Sequence, residues 1–146
     1  MIKRDLFSIL IFLICSCNVN GDYEQKTNDS VNVLLTALKG KSFLKGNITY
    51  SDSLYFIKSK FYNKNFPAKS EYFALFYIED KPNNKHLNFP GKNSDKRERY
   101  EIIEFKLSLD TGHIILYNLG VREKYEFYLK KTDNSWSIIK EHWSIN

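Results

Sequence analysis

The chain has 146 residues, a formal net charge of +5 and 16% aromatic residues. That length holds one ordinary domain able to bury its own core. Eighteen lysines stand against four arginines and no nucleic-acid-binding motif is present, so no nucleic acid partner is expected and most lysines read as solvated.

The first seventeen residues set an address. Lys3 and Arg4 give a positive start, Leu6–Ile14 is a nine-residue apolar run, and Ser16 is a small residue just before Cys17. This is the plan of a secretory signal peptide. The run is too short for a membrane span, which needs about 20 apolar residues. The cysteine behind the small residue makes the segment resemble the lipobox of bacterial lipoproteins. The resemblance implies that Cys17 receives the lipid and that residues 1–16 are removed in front of it. Cys15 departs from the Leu-Ala-Gly that this family prefers. The mature chain then has 130 residues, a charge of +4 and one acylated cysteine, so packing alone carries its stability. The address is the cell envelope, anchored to a membrane and facing outside the cytoplasm.

Residues 17–28 are polar and aperiodic after the cysteine and read as a flexible tether. The domain is expected over 29–146. Asp29-Ser30 has the composition of a helix cap, with Val31, Leu34, Leu35 and Leu38 on one stripe and Gly40 as the stop. Asp52-Ser53 precedes Leu54, Ile57 and Phe61, whose spacing predicts a second helix, although Leu54–Ile57 also fits a strand. Seven lysines against the single acid Asp52 make Lys39–Lys69 basic, which suits a face turned toward anionic headgroups.

From Glu71 the period becomes two. Glu71–Glu79 is apolar on both faces and predicts a buried central strand. Residues 80–99 form a polar excursion, flexible or functional. Tyr100–Leu109 alternates, with Ile103, Phe105, Leu107 and Leu109 on one face. Asp110-Thr111-Gly112 reads as a hairpin turn. His113–Leu119 aligns Ile115, Tyr117 and Leu119, and Glu123–Lys131 aligns Tyr125, Phe127 and Leu129. Thr132–Ser135 turns into a last strand, Trp136–Ile145, on which Trp136 and Trp143 should take opposite faces. The expected class is α+β, with N-terminal helices packed on a curved antiparallel sheet of about five strands.

That order of elements, and the ending Trp136-Ser-Ile138 with His142 near the terminus, resembles the nuclear-transport-factor-2-like cone fold of ketosteroid isomerases and polyketide cyclases. The resemblance implies a pocket between helices and sheet. Its candidate lining residues here are Asp52, Tyr117, Tyr128, Trp136 and His142, with Asp52 doubling as a helix cap. No catalytic constellation, metal-ligand spacing or phosphate loop is present, and no cofactor is expected. His86, in the polar excursion, and His113, after a turn glycine, read as solvent-facing. Three functions follow: a non-catalytic module binding a small ligand, glycan or protein; a cone-fold isomerase or cyclase; or an immunity-type inhibitor acting through its surface.

Overall fold

The computed structural model describes residues 24–47, 52–79 and 99–145. Two helices come first, α1 over residues 24–37 and α2 over Lys41–Asn47. Six strands follow: β1 Ser53–Ile57, β2 Ala74–Ile78, β3 Arg99–Leu107, β4 Thr111–Asn118, β5 Glu123–Thr132 and β6 Ser135–Ile145. They form one sheet in the order β2-β1-β3-β4-β5-β6. Both neighbours of β1 run parallel to it, while β3 to β6 are antiparallel.

The α+β cone with a five-stranded antiparallel sheet is therefore not what this chain forms. The described residues are mostly β, 49% strand and 21% helix, in a mixed six-stranded sheet. The largest change is at Ser53–Ile57, a strand rather than a helix. Leu54, Tyr55 and Phe56 are all buried in succession. A helical stripe buries one side, whereas a strand flanked on both edges and covered on both faces buries consecutive residues. The reverse error falls on Glu71–Glu79. Its strand, β2, lies at the end of the sheet rather than the centre, with Phe76 43% exposed. Its apolar character serves ring contacts: Phe76 stacks on Tyr55 at 5.1 Å, and Tyr77 meets Phe56, Tyr62 and Phe66.

α1 starts inside the expected tether. Val33, Leu34, Ala37 and Leu38 are fully buried, as a helix lying on the sheet requires. Asp29 is not a cap. It sits within α1, buried, where both of its oxygens accept from Lys131 Nζ at 2.8 and 2.9 Å and Oδ1 also accepts from Trp136 Nε1 at 3.0 Å. Gly40 joins the helices at a close approach: a Cβ there would lie 2.3 Å from the Phe127 ring. Phe43 of α2 fills the interior, with Phe73, Tyr100 and Tyr125 at ring distances of 5.9, 5.3 and 5.1 Å.

A buried polar chain ties α2 to the sheet. The Tyr100 hydroxyl donates to Asn47 Oδ1 and accepts from Asn118 Nδ2 at 2.9 Å. Asn47 Nδ2 donates to the Phe43 carbonyl at 2.8 Å, and Asn118 Oδ1 accepts the Gly120 N–H at 2.9 Å. Burying amides needs this kind of mutual satisfaction.

Two bulges set which residues face where. The pairing Ile102↔Leu116 is followed by Glu104↔Ile115, leaving Ile103 as the extra residue. Phe105 and Leu107 stay on the helix-covered face, but Ile103 is 41% exposed and Leu109 is 89% exposed at the turn. On β4 the helix-covered residues are Gly112, Ile114, Leu116 and Asn118, so Ile115 and Tyr117 take the outer face. In β6 the pairing steps from Tyr128↔Lys140 to Leu129↔Ile138. Ile139 is the extra residue there. A one-residue insertion reverses facing beyond it, so Trp136 and Trp143 share the helix-covered face instead of opposing one another. The β5–β6 turn is as expected, with Asp133 and Asn134 at φ 49° and 62°, the left-handed pair that a two-residue hairpin uses.

Candidate functional site

Among the described residues the helix-covered side of the sheet is packed with rings, Phe43 against Phe73, Tyr100 and Tyr125, and the clustered polar chemistry lies on the outer face. Alternation places Glu104 and Lys106 of β3, His113 and Tyr117 of β4, Lys124, Glu126 and Tyr128 of β5, and Lys140 and His142 of β6 on that face. Side chains at alternate positions share this face, and most of them are polar, with Ile115 between His113 and Tyr117 on β4 as an apolar exception.

His113 is the centre of this face. Its Nδ1 lies 3.0 Å from Glu104 Oε1 and its Nε2 lies 2.9 Å from Glu126 Oε1. A doubly protonated ring would donate to both, joining three adjacent strands. The Tyr128 ring stacks on the imidazole, centroids 4.4 Å apart and planes 20° from parallel. Its hydroxyl donates to Glu126 Oε1 at 2.7 Å. Lys140 Nζ lies 5.5 Å from the Tyr128 ring on the side of β6. Lys106 pairs with Glu104 at 2.5 Å and Lys124 with Glu126 at 3.2 Å.

These contacts set the charge states of the carboxylates. The Tyr128 hydroxyl, then His113 and Lys124, hold Glu126 at about 2 against the cost of its partial burial. Lys106 holds Glu104 below the usual carboxylate range. The hydrogen bond to Glu126 pushes the Tyr128 phenol up. A carboxylate held this low is a poor proton acceptor at neutral pH. The arrangement suits a fixed, preorganised surface better than a proton-transfer centre. Among the described residues no cluster has the makings of a metal site.

Of the candidates read from the sequence, Tyr117, Tyr128 and His142 share this outer face. His142 is exposed and pairs in register with Glu126. Tyr117 lies four residues beyond His113 along β4, about 13 Å away, so the face is broad rather than a single pocket. The other two are elsewhere. Trp136 is on the helix-covered face with Asp29, and Asp52 is exposed before β1, accepting the Ser53 hydroxyl at 2.9 Å. Strands β3 and β4 stand between β1 and β5. Cys17, His86 and the excursion 80–98 lie outside the described residues.

Glu104, His113 and Glu126 were missed as a unit. The signal was present in strand parity: once the two hairpins are put in register, the three fall on one face of neighbouring strands. Reading His113 as solvent-facing overlooked its flanking acids.

Open clefts complete the surface. One of about 300 Å³ lies between α1 and the β3–β4 turn, lined by Gln25, Lys26, Asp29, Leu107, Ser108 and Leu109. Another, of about 520 Å³, is lined by Phe61, Tyr62 and Phe66 among others. No known protein family, curated protein or solved structure matches the chain.

Proposed function

We propose that the chain is a lipid-anchored, extracytoplasmic binding module, tethered through Cys17 and engaging a protein or glycan partner with the outer face of its sheet. One observation carries the binding half of this reading: the space between helices and sheet is filled by Phe43, Phe73, Tyr100 and Tyr125, while Tyr117, His142, the His113 cluster and three lysines are displayed outward. Rings that combine apolar area with a polar edge are suited to such contact. The signal segment supports the anchoring half.

Two measurements test the halves separately. Mass analysis of the N-terminal peptide should find an acylated Cys17, and Cys17→Ala should release the chain from membranes. Retention of the unmodified variant in the membrane fraction refutes the anchor. For the face, Tyr117→Ala with His142→Ala should lower binding to arrayed glycans or envelope proteins at least tenfold while leaving the melting temperature close to the parent's, because both side chains lie outside the core. Undiminished binding by this folded variant places recognition elsewhere.

A further inference from the structure

Leu109 is the most exposed large apolar side chain among the described residues, 89% open at the tip of the β3–β4 turn. It is held there by a tight turn, in which the Ser108 N–H donates to the Thr111 carbonyl at 2.9 Å and the two hydroxyls meet at 2.5 Å. The turn is also braced from β5, where the Lys131 N–H donates to the Asp110 carbonyl at 2.7 Å. A single exposed leucine is ordinary on a protein surface; assigning it a role takes a second observation.

Its neighbourhood supplies one. Leu107, Ser108 and Leu109 share a cleft with Gln25, Lys26 and Asp29 of α1. The turn therefore sits beside the N-terminal end of α1. Only seven Cα steps separate residue 24 from Cys17, a span of at most about 25 Å when fully extended. A lipid on Cys17 thus keeps this end of the domain close to the bilayer. β4 leads away from the turn for eight residues, which puts Leu119 at the far end, about 25 Å off.

We infer that the β3–β4 turn is the membrane-facing tip of the domain and that Leu109 enters the lipid interface. The partner is the bilayer itself, and the inference rests on the lipid anchor proposed above. Among the described residues the exposed charges near the tip balance, Lys26, Lys106 and Lys130 against Glu24, Asp110 and Asp133. Apolar insertion, not headgroup charge, then makes the contact. The opposite face and far end remain turned outward for the partner.

The test uses the lipidated chain carrying Leu109→Trp, reconstituted in vesicles of phosphatidylethanolamine and phosphatidylglycerol, after subtraction of the parent's Trp136 and Trp143 signal. The introduced indole should emit at shorter wavelength than in the unanchored Cys17→Ala background and lose intensity when the acyl chains are brominated. Leu119→Trp should do neither. The same result should persist in purely zwitterionic phosphatidylcholine vesicles. If the chain floats with the vesicles but bromination spares the indole at 109, or quenches the one at 119 instead, the tip is wrong while the anchor stands. If the chain does not float and Cys17 is unmodified, the anchor fails and the tip falls with it.

Discussion

Asp29 shows how one residue changes meaning between sequence and structure. Beside Ser30 it has the composition of a cap; in the fold it is a buried anion shared by Lys131 and Trp136. Both charged side chains are nearly enclosed, 12% and 13% exposed. Removing one partner of such a pair strands the other charge. Asp29→Ala should therefore cost about 3–5 kcal/mol, read from urea unfolding. Replacing Asp29 and Lys131 together with apolar residues should recover much of that loss, since no charge is then left alone. If Asp29→Ala unfolds at the parent's midpoint, the pair does not stabilise the fold. Nothing local distinguishes a capping aspartate from this one. The partners are more than one hundred residues away along the chain.

At the scale of elements, pairing decides what alternation leaves open. The strands from β3 to β6 are legible because polar and apolar residues alternate and short turns separate them. Asp133-Asn134 even specifies its hairpin, since these residues tolerate positive φ. β1 is not legible, because Leu-Tyr-Phe-Ile suits a helix or a strand and its two parallel neighbours come from later in the chain. The bulges at Ile103 and Ile139 are hidden for the same reason: an extra residue is defined only against the partner strand. The outer-face cluster links β3, β4 and β5, and its acid response follows from Glu126. That carboxyl is drawn from 4.5 down to about 2. A depressed folded value adds stability above the unfolded value, and this is lost as pH falls from about 4.5 toward 2. Glu126→Gln should lack that share, so its urea midpoint should decline less steeply than the parent's over this range. Parallel pH profiles for the two chains would show that Glu126 is not coupled to folding.

At the scale of the whole molecule, helices lie on one face of the sheet and the polar side chains of β3 to β6 line the other, which gives the described domain its polarity. Its stability comes from aromatic packing and the buried Asn47–Tyr100–Asn118 chain. The only cysteines are Cys15 and Cys17, both ahead of α1. Reducing agent should accordingly leave the melting temperature unchanged. A clear drop would reveal a disulfide between chains.

Among the described residues, the sequence by itself determined the local features: a first helix, the antiparallel strands after residue 100 and the Asp133-Asn134 turn. Each rests on neighbours within a few residues, where periodicity and turn chemistry act. Tertiary structure alone decided the mixed sheet, the edge position of β2, the burial of Asp29 and the meeting of His113 with Glu104 and Glu126. These depend on which strands pair and in what register. That choice is made by burying side chains distant in sequence against one another, and a pattern read along the chain carries no measure of it.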